Sequence, residues 1–414
     1  MLETYLVGNG IDVSKEHHIS DADHKYIEPS NLYLLRNYVG VEVADFLYAK
    51  DLINETKYFR ILLYEWFLVV KVGGYLILEF ENNEILDHTT LKKEIELLQL
   101  YRARHEIMEE RGEKKKKYIV IQKTKSIKRD ENEINQWTFG IVTNGKRKDF
   151  IEKAINSIRD LRVPQYEIII CGKYFGEIAK DINYIYFTEH DDKGWITKKK
   201  NLICENAKHE NIVIIHDRIY FDRDWFEGMK KYGNFFEVLS CPLILFLKHG
   251  TIISNWETFA ENFTIDDDKN LFHSNGVLDI SDWDKNVIVP GPLIILKKYI
   301  WNYEKWSENL FWGEAEDIEY SHRQHKKGIM IRLNPYSKAY ASSVSGITFS
   351  AYYEKNTRKL GKFHCELPTP LIIFLKTLDV LGFRRNKILV QYFLKNIKKL
   401  YNAASWKEET EVRK

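Results

Sequence analysis

IVIIHDRIYFDRDW, residues 212–225, begins with four apolar residues, Ile212 to Ile215, and breaks at His216, Asp217 and Arg218. A short, wholly apolar run of this kind reads as a strand buried on both faces, the habit of parallel sheets. Ligands bind beyond the carboxyl ends of such strands, so these three polar residues mark a candidate site. Upstream the pattern repeats. A strand at Phe139 to Val142 leads to the turn-prone Asn144-Gly145, and Ile151, Ala154, Ile155, Ile158 and Leu161 follow at helical spacing. Further strands at Glu167 to Ile170 and Tyr184 to Phe187 precede a helix near Lys199 to Ala207. This alternation predicts an α/β domain with a mostly parallel sheet covered by helices on both faces.

Downstream, WGEAEDIEYSHR (residues 312–323) places four carboxylates within six positions, beside aromatic residues and a histidine. An acidic helix start could simply favour the helix dipole, but that leaves Trp312-Gly313 unaccounted for. If the helix begins near Glu316, then Glu316, Glu319 and Arg323 share one face and Asp317 can turn toward the sheet edge. Asp217 alone would read as a turn former at a strand end. Together the two segments meet the needs of group transfer from a diphosphate. The leaving group needs positive charge, usually a divalent metal held by carboxylates, and the acceptor hydroxyl needs a base. Gly291, between Pro290 and an apolar strand, suits either a simple turn or close backbone approach to a substrate.

The order strand, helix, strand, then IVIIHDRIYFDRDW, VPGPLIILKK (289–298) and WGEAEDIEYSHR resembles family 2 glycosyltransferases of the GT-A, Rossmann-like fold, over roughly half the chain. The resemblance implies inverting transfer from a nucleotide-sugar donor to a glycan or lipid-linked glycan acceptor, in surface polysaccharide synthesis. It places the nucleotide at Thr143 and Asn144, adds Lys200-Asn201 after the third strand, and matches His216-Asp217-Arg218 to the metal-binding motif. Asp317 is the first choice for base and Glu316 the second. Two departures stand out. A single Asp217 replaces the usual aspartate pair, so Arg218 could take over part of the role of Mn2+ or Mg2+. Cys171-Gly172 replaces acidic residues after the second strand, which leaves Glu167 or Asp191-Asp192 for donor contacts. His322 is a further candidate metal ligand, weighed against an ordinary helix position.

Ahead of this domain, Asp45 to Glu55, Glu65-Trp66 and the run Val70 to Leu78 with its Gly-Gly pair resemble the second half of class I S-adenosylmethionine-dependent methyltransferases. Gly8, Gly10 and Asp12 read as a remnant of the cofactor loop, with Tyr118 to Gln122 as the last strand. About 125 residues is short for that fold, so a truncated scaffold domain is expected rather than an S-adenosylmethionine enzyme. His17, His18, Asp21, Asp23 and His24 lack paired spacing and read as a polar loop.

The charged stretch from Arg102 to Gln136 marks a boundary near residue 130, giving domains 1–130, 131–360 and 361–414. The last carries apolar residues at helical spacing from Pro368 to Tyr401, with almost exclusively basic charges. It suits helices on an anionic membrane surface or packed on protein. A net charge of +2, from 62 basic and 60 acidic residues, gives no support for nucleic acid as a partner. Four scattered cysteines form no disulfide framework or zinc site, and no run reaches the ~18 apolar residues of a membrane span. A cytoplasmic protein, peripheral at the inner face of a membrane if its terminal helices bind there, is the expectation. A bifunctional glycosyltransferase and methyltransferase, or a non-catalytic glycan-binding assembly protein, are the alternatives.

Overall fold

The computed structural model describes residues 2–16, 24–27, 33–55, 59–98, 104–113, 116–126, 131–247, 250–254, 256–258, 274–276 and 288–342. Residues 17–23, with most of the histidine cluster, and the segment 361–414 lie outside the described residues. The described residues belong to one compact unit, Met1–Leu360. It has an α/β architecture built on two main sheets.

The first sheet draws on β1 (Gly10–Asp12), β2 (His24–Tyr26), α1 (Leu35–Val39), β3 (Ala44–Lys50), α2 (Phe59–Val69), β4 (Val70–Glu81), α3 (His88–Leu98), β5 (Arg104–Glu113) and β6 (Lys116–Lys125). Its order is β2-β1-β3-β4-β6-β5. The first four strands are parallel, and β6 runs against both β4 and β5.

Three details of the sequence reading change here. Arg104 to Glu113, read within the charged boundary, is an edge strand. Its exposed side needs no apolar alternation, which hides it from a periodicity search. The Gly73-Gly74 pair lies inside β4, where the register against β3 shifts, and not at the turn opening a strand that the methyltransferase resemblance implies. Gly8 and Gly10 stand at the amino end of β1, whereas cofactor loops follow the carboxyl end. The Asp45 carboxylate closes that turn by accepting the Asn9 amide at 2.9 Å.

Helix α2 explains why the two sheets form one unit. Ten of its eleven residues are buried, so it has no solvent face and must be covered on all sides. One hydrophobic cluster runs from Leu62, Trp66 and Leu76 to Ile212, Leu296 and Leu333 of the second sheet. Within it Glu65, wholly buried, takes ion pairs from Arg36 and, at 3.0 Å, from Arg332. Tyr64 Oη donates to Glu237 at 3.0 Å.

The second half of the chain starts with β7 (Gln136–Thr143), α4 (Lys148–Asp160), β8 (Gln165–Gly172), β9 (Ile182–Ile185), α5 (Ile196–Asn206) and β10 (Asn211–His216). Next come β11 (Ile219–Phe221), α6 (Trp225–Tyr232), β12 (Val238–Ser240), β13 (Leu243–Leu247), β14 (Gly250–Ser254), β15 (Trp256–Thr258) and β16 (Ser274–Gly276). The last described elements are β17 (Leu293–Lys297), α7 (Lys298–Tyr303), α8 (Glu316–Lys326), β18 (Ile331–Leu333) and β19 (Ala339–Ala341). The second main sheet has the order β18-β12-β17-β10-β7-β8-β9. Within it β17 alone runs antiparallel to its neighbours. A four-stranded sheet, β11-β19-β13-β14, and the pair β15-β16 complete the described strands.

Truncating Glu65 to Ala leaves two guanidinium groups buried without their carboxylate. The loss of such a partner costs about 3–5 kcal/mol, so denaturant unfolding of Glu65→Ala should show a loss of that order. A loss below about 1 kcal/mol would mean that the ion pairs do not hold the two sheets together.

Candidate active site

Sheet register gathers the functional side chains. Thr143 pairs with Gly172 across β7 and β8, and His216 pairs with Val142 across β10 and β7, so three carboxyl ends lie level. Because β17 is antiparallel to β10, its amino end reaches the same edge. Leu293 stands opposite Ile215, and the His216 amide donates to Pro292 O at 3.0 Å. Gly291 therefore joins the cluster with the residues before it.

Helix α8 brings the acids. Ala315, at its amino end, adopts φ 60°, an uncommon left-handed conformation for a non-glycine residue. Asp317 Oδ2 accepts the Gly291 amide at 3.0 Å, and Oδ1 accepts the Ile318 amide at 2.9 Å. A Cβ at Gly291 would lie 2.6 Å from Asp317 Oδ2, so only glycine permits this approach. Glu316 pairs with Lys200 at 3.1 Å, and the lysine side chain is fully buried. Lys200 Nζ also donates to Gly291 O at 3.3 Å. Burial first, then the Glu316 charge, pushes the Asp317 carboxyl up to about 6, against the pull of Lys200. A carboxylate of that basicity is suited to accept a proton near neutrality.

Asp217, across the edge, is buried and differently engaged. It accepts Thr143 Oγ1 at 2.9 Å and forms an ion pair with Arg147 Nη1 at 3.0 Å. His216 keeps a buried Nε2 with no hydrogen-bond partner. Burial, followed by Lys200, Arg218 and Arg147, holds its pKa well below the usual value and keeps the imidazole neutral. Lys199, also buried, bridges Thr143 O at 2.8 Å and Asp191 Oδ1 at 2.7 Å. Asp191 thus reaches the cluster through a lysine.

The carboxylates do not fit a divalent metal. Among the described residues no group of three His, Cys, Asp or Glu side chains could hold one. His322, proposed as a ligand, is exposed on α8, and Asp217 faces Arg147. Other expected donor contacts also change. Glu167 belongs to the amino half of β8, where it accepts Thr138 Oγ1 at 2.7 Å and the Lys208 amide at 2.6 Å, away from the ligand edge. Asn201 is a brace: its amide group donates to Trp306 O and Glu308, and its oxygen accepts the Trp301 indole and the Trp306 amide. Asn144 and Asp192 are exposed, and Asn144 Oδ1 accepts the Lys146 amide at 3.1 Å. Arg218 is half-buried beside Asp217.

Three further residues belong to the site. Arg147 and Lys199 lay within basic stretches that carry no motif, and Arg147 meets its partner Asp217 only through the fold. Trp312 is 69% exposed, yet its amide donates to Gly194 O at 2.8 Å. The loop before it is tied to α5, because Trp195 Nε1 donates to Glu308 O and Thr197 Oγ1 to Leu310 O.

No protein-family model and no curated protein sequence matches the chain. Among solved structures, S. aureus TarS 1–349 overlaps 50% of this chain and 60% of its own, at 14% identity and a TM-score of 0.34. GalNAc-T7 with UDP, GalNAc and Mn2+ overlaps 51% of this chain and 44% of its own, at 10% identity and a TM-score of 0.37. The inositol-1-phosphate CTP transferase of T. maritima overlaps 56% and 98%, at 9% identity and a TM-score of 0.33. The chain thus spans less than two thirds of the first two.

A raised carboxyl pKa has a defined consequence for stability. The folded state holds the Asp317 proton more tightly than the unfolded chain, so ionisation destabilises the fold as pH rises from about 4 to about 6. Asp317→Asn should therefore be more stable to unfolding than the native chain at pH 7.5, by about 2 kcal/mol, and lose that advantage near pH 4. An unchanged difference at the two pH values would mean that Asp317 is not perturbed.

Proposed function

We propose that the chain is an inverting glycosyltransferase of the GT-A type, moving a sugar from a nucleotide diphosphate to a glycan or lipid-linked glycan acceptor. The observation that carries this reading is Asp317. It is a buried carboxylate of raised basicity, aligned on the Gly291 amide, at the carboxyl edge of a parallel sheet. Asp317 takes the proton of the acceptor hydroxyl while that oxygen bonds to the anomeric carbon. The bond from that carbon to the diphosphate oxygen breaks on the opposite face, inverting the centre. Both electrons leave with the diphosphate, and the proton remains on Asp317. Glu316, fixed by Lys200, keeps negative charge beside Asp317 and so sustains its basicity.

The strand order β9-β8-β7-β10-β17-β12-β18, with one reversed strand, supports the same reading. Trp312 suits the acceptor, since its exposed indole, on backbone fixed to Gly194, offers a stacking face to a sugar ring. For the first sheet, the reversed β6 beside parallel β4 supports descent from a methyltransferase-like fold that now serves as scaffold. The basic segment 361–414 would bring the enzyme to the cytoplasmic face of a membrane that carries the acceptor. Among the described residues no helix is long and apolar enough to cross it.

Turnover of a donor panel that includes UDP-GlcNAc, the donor bound in one TarS structure, tests the assignment. Asp317→Asn should lower turnover by about 10²–10⁴-fold with the fold intact, and NMR should show an inverted product anomer. A folded variant with undiminished turnover, or a retained anomer, would refute it. Trp312→Ala should raise the acceptor KM by about tenfold and leave the donor KM unchanged, the mark of one lost stacking contact.

A further inference from the structure

We infer that Arg147, and not a divalent metal, meets the donor diphosphate at this edge, which makes the proposed transferase independent of metal. The inference rests on the glycosyltransferase reading and goes beyond it. A metal site at the end of β10 needs several free oxygen ligands converging on one point. At the end of β10 the described residues offer a single carboxylate, Asp217, and each of its oxygens already accepts a hydrogen bond. Oδ1 holds Arg147 Nη1 at 3.0 Å and Oδ2 holds the Thr143 hydroxyl at 2.9 Å. The cation beside Asp217 is therefore already supplied by the chain.

The surroundings are also basic. Arg147, Arg218 and Lys200 all lie close enough to His216 for their charges to act on it. Lys200 is paired with Glu316, but Arg147 and Arg218 flank the single carboxylate Asp217 at the end of β10, a balance that favours a diphosphate there over a dication. Arg147 is well placed to receive one. Its side chain is 37% exposed, while the Asp217 side chain is 6% exposed. Its hydrogen bond to Asp217 uses Nη1, and a planar guanidinium has further donors for bidentate contact with phosphate oxygens. Asp217 then acts as a positioning residue that aims the guanidinium, with Thr143 fixing the carboxylate.

Calorimetric titration of the full chain with UDP, GDP and dTDP, in EDTA and again with Mn2+, tests this without recourse to turnover. At least one nucleotide should bind in EDTA, with a Kd within about threefold of its value in Mn2+. Arg147→Met should weaken that binding at least tenfold, and Arg147→Lys, which keeps the charge paired with Asp217, should weaken it less. Thermal unfolding of both variants reports whether they are folded. Binding that needs Mn2+, or an Arg147→Met chain that is folded and binds as tightly as the native chain, would overturn the inference and leave the glycosyltransferase reading standing. Failure of every nucleotide to bind under both conditions would overturn both.

Discussion

The ammonium group of Lys200 holds the candidate site together. It rises from α5 with no exposure to solvent, and an isolated buried charge of this kind would be strongly unfavourable. Its partners are Glu316 at the start of α8 and the Gly291 carbonyl at the entry to β17. One buried ion pair thereby ties three elements, distant in sequence, to a single point. Asp317 follows from it. With Glu316 drawn to Lys200, the next residue falls against the Gly291 amide. The same helix, α5, secures the loop before Trp312 through Trp195, Thr197 and Asn201. Asp317 thus rests on a helix, and the loop that carries Trp312 is tied to another, as positioned chemistry requires.

These arrangements cost stability. Burying Asp317 beside another carboxylate raises its pKa, and Ala315 is held in a left-handed conformation. The fold offsets such costs elsewhere, above all through α2, whose side chains are covered by both sheets. On this account the first sheet need not bind a cofactor to matter. It supplies the apolar surface that completes the second sheet, and the Arg36–Glu65–Arg332 contacts fix the two together.

Much of this was legible in the sequence, for a simple reason. The apolar runs around Phe139, Ile168 and Ile212 can be strands only if buried on both faces, and that alone implies the parallel sheet and its ligand edge. Acids crowded into a helix start beside Trp312-Gly313 pointed to Glu316 and Asp317. Spatial pairings were not legible. Arg147 meets Asp217 across 70 positions, and no spacing rule connects them. Lys200 and Asn201 are adjacent in sequence but diverge, one toward the acids and the other into a bracing network. Glu167 looked available only because its position along β8 depends on register, which places it opposite Thr138, five residues before Thr143. Hydrophobic pattern defines faces, and side-chain partners emerge only once the strands are aligned.

The most direct test of the account is the pH dependence of kcat/KM for the native chain with a turned-over donor. If Asp317 is the base, activity should rise through an acidic limb with an apparent pKa of about 6 and level off above it. A profile that is flat from pH 5 to 8, or that breaks near pH 4 as for an ordinary carboxylate, would contradict the central role given to that buried side chain.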